Sequence, residues 1–119
     1  MMLGTHDGCF KCHCCGQLPD GGMDQNLIDL LNEAGVTGDD VNCGYRCASH
    51  NAEVGGVAGS QHNANPCTAS DIDAHGDVEA LAQKFEGLNA DGVGRYFGDA
   101  GDFVHVDVRS GRIGDTFRW

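Results

Sequence analysis

Ser60 to Ile72 reads SQHNANPCTASDI, and Phe103 to Asp107 reads FVHVD. Both end in alternation. From Ala69 to Ala74, Asp71 and Asp73 fall on one side of an extended chain and Ile72 on the other. From Phe103 to Arg109, residues Phe103, His105 and Asp107 fall on one side and Val104, Val106 and Val108 on the other. Two strands are expected, and the valine face belongs against a core, which turns His105 and Asp107 toward a cleft. His62 stands nine positions before Asp71. Two imidazoles and a carboxylate can hold one zinc ion with its fourth tetrahedral position open, where zinc lowers the pKa of water to about 7. His62, Asp71 and His105 are therefore candidate metal ligands, and the first reading is a zinc hydrolase. The plainer reading is of polar loop residues and a strand histidine, since six histidines and eighteen acidic residues among 119 make such pairs common.

On either side of these strands the chain reads as scaffold. Leu27, Leu30, Leu31 and Ala34 recur at i, i+3, i+4 and i+7, one apolar face of a helix over Asn26 to Ala34 that Gly35 closes. Val41 to Tyr45 reads as a short strand leading to Arg46, and Ala48 to Val54 as two helical turns stopped at Gly55-Gly56. Asp77 is an N-cap for a helix from Val78 to Leu88, whose Val78, Leu81, Phe85 and Leu88 form an apolar stripe. Gly92 to Phe97 pairs with the Phe103 strand as an antiparallel hairpin across the GDAGD connection, and Trp119 serves as a terminal plug. The D-x-D-x-H-G run from Asp71 is not an EF-hand loop, because its fifth position is His75 and its twelfth Ala82. The expected class is α+β: two helices on one side of a mainly antiparallel sheet that contains Asp71 and His105.

The length suits one domain over residues 1–119, with a Cys-rich segment over 1–22. A net charge of -11 without a basic run argues against nucleic acid or an anionic membrane surface as partner. The start, MMLGTHDGCF, lacks a basic n-region and an apolar h-region, and no stretch of about eighteen apolar residues occurs, so neither an export signal nor a membrane span is expected. Nineteen glycines against two prolines indicate many tight turns.

Seven cysteines are too many to neglect and too odd for a closed set of disulfides. Cys9, Cys12, Cys14 and Cys15 crowd one segment, Cys43 and Cys47 flank Tyr45-Arg46, and Cys67 lies between His62 and Asp71. Three readings stay open: a second, structural zinc held by C-x-x-C thiolates, with His6 or His13 as further ligand; disulfides; or buried free thiols.

The runs CGYRCASHNAEVGGVAGSQH, ASDID, GVGRY and FVHVDVR, in that order over Cys9 to Trp119, resemble the M15 family of zinc peptidases. These are D-alanyl-D-alanine carboxypeptidases and related peptidoglycan endopeptidases, with the C-terminal domain of the family's subfamily A as the nearest pattern. The family motif SxHxxGxAxD, followed by a later histidine, spaces histidine and aspartate seven apart; here the spacing is nine, with Asn65-Pro66-Cys67 in place of the glycine. The departure bears on the loop's shape and on substrate preference more than on the ligands. The resemblance implies a hedgehog/DD-peptidase-like fold, a zinc cofactor on His62, Asp71 and His105, and a peptidoglycan peptide as substrate. It implies that Arg46, in the GYR context, contacts substrate and stabilises oxyanion charge, a task suited to a planar, permanently charged guanidinium, although an arginine after tyrosine is often only a surface cation. The base has two candidates: Asp102, where family carboxypeptidases carry the glutamate of E-x-x-H, and Asp107, which shares a strand face with His105 and could instead be its partner. Ser60 and Gln61 either hold peptide backbone or order the loop. The chain is then expected to act on the cell wall, as a phage-type lysin or as part of a longer exported protein. The rival readings are a zinc-retaining, non-catalytic wall-binding module and a Cys-centred metal or redox protein.

Overall fold

Asp24 starts the first α-helix by accepting the Asn26 amide at 2.8 Å, which satisfies one of the amides a helix start leaves without a partner. The structure is a computed structural model that describes residues 2–13, 15–47, 49, 61–97, 102–109, 111–112 and 116–118. Helix α1 spans Gln25–Glu33 and buries Leu27, Ile28, Leu30 and Leu31. Gly35, with φ +78°, ends it in the left-handed conformation that glycine adopts without steric cost. Strand β1, Val41–Cys43, is shorter than the sequence suggested and stops before Gly44. Strand β2 is Ala69–Asp73, helix α2 is Val78–Gly87, β3 is Gly92–Tyr96 and β4 is Phe103–Asp107. Asp77 caps α2 through the Ala80 amide at 3.0 Å, as the sequence predicts. A two-residue strand, β5 at Phe117–Arg118, was not foreseen. The expected helix from Ala48, the connection across 98–101, Cys14, Ser60 and Trp119 lie outside the described residues.

Among the described residues five strands form one sheet in the order β1-β2-β4-β3-β5, antiparallel except for the parallel pair β3/β5. Strand β4 lies between β2 and β3, so Asp71 stands directly opposite His105 and Ile72 opposite Val104. On β4's other side Val93 faces Val106 and Gly94 faces His105. The sheet is therefore two-sided by register. Ile72, Val93, Val104 and Val106 share the face that joins Phe85 of α2 and the leucines of α1 in one apolar core. Arg95 on that face reaches across to α2, bonding Glu79 at 2.9 Å and Glu86 at 3.0 Å. The opposite face carries Asp71, His105 and Asp107. No helix among the described residues is long and apolar enough to cross a membrane.

The N-terminal segment is not a loose appendage. Phe10 is fully buried and its carbonyl accepts the Tyr45 amide at 2.9 Å. The segment also absorbs the long loop between His62 and Asp71: Gly22 and Asp24 exchange main-chain bonds with Cys67 at 2.9 and 2.8 Å, and Asn65 accepts the Gly21 amide at 2.8 Å. The loop between His62 and Asp71 is thus folded against residues 21–24.

Phe85 is fully buried between α2 and the valine face. Phe85→Ala is expected to lower the unfolding free energy by about 3–5 kcal/mol, through lost burial and the cavity left behind. The check is urea denaturation, where the midpoint falls at constant slope; an unchanged midpoint would contradict this core assignment.

Candidate metal centre

His62 sits in a short 3-10 helix, Gln61–Asn63, whose backbone is tied to the stretch after β1: the Arg46 amide donates to the His62 carbonyl at 2.8 Å, and Asn63 Nδ2 donates to the Arg46 carbonyl at 2.8 Å. The imidazole is 2% exposed, and its Nδ1 lies 2.7 Å from the carbonyl of Gly44. A carbonyl only accepts, so Nδ1 carries the hydrogen and Nε2 of the neutral ring presents a lone pair. Gly44 can stand there because it has no side chain: a Cβ would lie 2.8 Å from the Phe10 backbone.

His105 is fixed from the other end. Its Nε2 lies 2.8 Å from Asp107 Oδ2, and Asp107, with no exposed surface, is also gripped by Arg109 through Nε at 2.8 Å and Nη2 at 2.6 Å. Burial alone would raise the Asp107 pKa; the Arg109 guanidinium and His105 outweigh it and hold the carboxyl well below the usual carboxylate range. An ionised carboxylate accepts the Nε2 hydrogen, so Nδ1 of the neutral His105 ring presents a lone pair. Gly92 makes room, since a Cβ on it would stand 2.2 Å from Asp107 Oδ2.

Asp71 completes the set from β2. His62 Nε2, His105 Nδ1 and Asp71 Oδ1 lie 3.2 Å from one another, on all three edges of the triangle. Ligands about 2.0 Å from a tetrahedral zinc are separated by about 3.3 Å, so the triangle has the dimensions that three ligands of one zinc ion would need. The donor set fits the ion chemically as well. Both ring hydrogens point outward, to Gly44 and Asp107, so three electron-rich atoms converge with no hydrogen between them. Only a cation or an added proton relieves that repulsion. Burial alone would lower the His62 pKa, but Asp71 and then Cys43 outweigh it and bring it up to about 9. The Cys43 thiol also falls within ligand range of His62 and Asp71, but it approaches His62 at Nδ1, 3.9 Å away, the nitrogen already committed to Gly44. Cys43 therefore flanks the triangle and is separate from the other cysteines with which the sequence grouped it.

The other predicted site residues fall in different settings. Asp102 immediately precedes β4, with its carbonyl accepting the Ala74 amide at 3.1 Å; because it lies outside the strand, alternation does not fix its side. Asp107 has both carboxylate oxygens engaged, which suits a partner for His105 and not a proton acceptor. Arg46 is partly buried, and its Nε is the one fully buried side-chain polar atom without a hydrogen-bond partner among the described residues. Gln61 is turned inward, accepting the Thr68 hydroxyl at 2.6 Å, which is a bracing role for the loop. Sequence reasoning missed Gly44, Arg109 and Gly92, although R after H-x-D-x was a signal that β4 carries its own counter-charge. A surface hollow lined by Met2, Asp29, Asn32, Glu33 and Arg112 includes none of these residues.

The metal-free chain carries a pH signature. The folded His62 pKa, about 9, exceeds the reference value of 6.5, so its contribution is fully present below pH 6.5 and is lost as pH rises through about 9. In chelator-treated protein, stability is expected to fall by a few kcal/mol across that window. Thermal unfolding between pH 6 and 9.5 measures it, and His62→Gln is expected to flatten the slope; an equal slope in the variant would assign the effect to other groups.

No curated protein and no solved structure matches the chain. A family model described as Peptidase M15 matches residues 24–107, well over half of the chain, from the N-cap of α1 to the last residue of β4. That span encloses His62, Asp71, His105 and Asp107, and the chain belongs to the peptidase M15 family.

Proposed function

We propose that the protein is a zinc-dependent peptidase acting on peptidoglycan stem peptides or cross-links, with His62, Asp71 and His105 holding the ion. The observation that carries this reading is the 3.2 Å triangle of lone-pair atoms formed by the Asp71 carboxylate and two imidazoles whose tautomers are set from behind. Bound there, zinc would supply Lewis acidity toward an amide carbonyl and bring the pKa of a coordinated water to about 7.

The chain's own groups divide the remaining work. Asp107, ionised and pinned by Arg109, keeps the His105 ring in its ligating tautomer and orientation. Gly44 does the same for His62 through its carbonyl. Arg46, anchored by its main chain to the His62 segment and with an unanswered Nε donor, binds the negative charge that develops on the scissile carbonyl oxygen. Asp102, three residues before His105 at the mouth of β4, accepts the proton of the attacking water and passes it to the leaving amine. The stacked Tyr96 and Phe103 rings, 4.6 Å apart on the site's face of the hairpin, offer an apolar wall for the peptide. A cell-wall substrate rests on family membership and on the acidic chain's unsuitability for polyanions.

The test pairs metal analysis with muropeptide hydrolysis. His62→Ala and His105→Ala are expected to lose one zinc per chain together with activity. Asp102→Asn and Arg46→Ala are expected to keep that zinc and lose about 10²–10³-fold in kcat. Zinc content unaffected by His62→Ala overturns the ligand assignment. Retained zinc in a wild type that binds peptidoglycan without cutting any muropeptide overturns the peptidase reading.

A further inference from the structure

The sulfur atoms of Cys12, Cys15 and Cys47 lie within 4.8 Å of one another, although Cys47 is distant in sequence from the other two. Cys12 is buried, Cys47 partly so, and Cys15 exposed. Cys12 and Cys15 are presented by a tight reversal: the Cys12 amide donates to the Gln17 carbonyl at 2.9 Å and the Gly16 amide to the Cys12 carbonyl at 2.8 Å, with Gly16 at φ +71°. The Cys47 main-chain amide points at the Cys12 sulfur, 3.4 Å away. An N–H aimed at sulfur stabilises a thiolate more than a thiol, because the acceptor then carries full charge. Three thiolates this close repel one another unless a cation lies among them.

The geometry points to a second metal site in which Cys12, Cys15 and Cys47 bind a soft divalent ion of the zinc class as thiolates, releasing their three protons to solvent. Thiolate donors select such ions, and Zn–S bonds of about 2.3 Å place sulfurs about 3.8 Å apart, inside the 4.8 Å limit that the cluster already meets. A disulfide would consume two of the sulfurs and leave the third without a role; among the described cysteines none is joined to another. In sequence, Cys47 is followed after two residues by His50, which lies outside the described residues and is not part of the assignment.

The site belongs to this chain and not to the family pattern. The family match begins at residue 24, so Cys12 and Cys15 precede it and Cys47 lies within it. An ion there would fasten the N-terminal segment to the residue that directly follows Arg46. Phe10, against which Gly44 packs, is held on the same segment. The second ion would therefore position Arg46 and Gly44 without touching the reacting atoms.

This assignment does not depend on the peptidase reading, and its test separates the two. Cobalt(II) is titrated into the reduced full-length chain and into a His62→Ala/His105→Ala variant, with the thiolate-to-metal charge-transfer absorption as readout. The histidine variant is expected to keep one cobalt and the absorption band, and Cys12→Ser/Cys47→Ser to lose the band and the thiol-site cobalt while retaining the one at the histidine site. Because Cys→Ser chains can fail to fold, maleimide labelling of the wild type is mapped by peptide mass. Saturating zinc is expected to slow modification of Cys12, Cys15 and Cys47 by about tenfold or more. Absence of the band from the histidine variant, its persistence in the cysteine variant, or labelling protected at Cys43 alone would overturn the proposal.

Discussion

The pairing of β2 with β4 is the constraint on which the site depends. Asp71 faces His105 across that ladder, and the side-chain period of two places both on the face away from the valines. A slip of one residue would send Asp71 into the apolar core and bring Ile72 out, so the burial that stabilises the domain also enforces the alignment of the two groups. Ile72, Val104, Val106 and Val93 thus fix the chemistry on the far side of the sheet while taking no part in it.

Burying two imidazoles and two carboxylates under one sheet face is costly unless each is answered. The answers come in layers. Arg109 neutralises Asp107, Asp107 orients His105, and the glycine at 92 leaves space for the carboxylate. On the other flank, Phe10 supports Gly44, and the Gly44 carbonyl orients His62. What remains uncompensated is the centre of the triangle, where three lone pairs meet. With both ring hydrogens directed outward, this convergence is open to a proton or to a cation.

Much of this was legible in the residues, and for identifiable reasons. The leucine spacing of α1, the Asp77 cap and the valine alternation of β4 are local signals, and they gave elements within a residue or two of those observed. The membership of His62, Asp71 and His105 in one group was suggested by chemistry and resemblance, but their adjacency was not, because β2 and β4 are separated in sequence by α2 and β3 and only the strand order brings them together. Asp107 illustrates the difference. Periodicity placed it correctly beside His105, yet its role turned on Arg109, two residues along, folding back onto the same carboxylate. The cysteines illustrate it further: among the described ones, Cys12, Cys15 and Cys47 form a three-thiol cluster, Cys43 lies beside the histidines, and Cys67 is buried against the loop. Nothing in their spacing told Cys43 from Cys47.

Diffraction at the zinc absorption edge from crystals grown with zinc decides whether the triangle of His62, Asp71 and His105 holds the ion. The account predicts an anomalous peak about 2 Å from each of His62 Nε2, Asp71 Oδ1 and His105 Nδ1, on the open side of the sheet. An empty triangle at full zinc saturation, or zinc confined to the thiols of Cys12, Cys15 and Cys47, would contradict it.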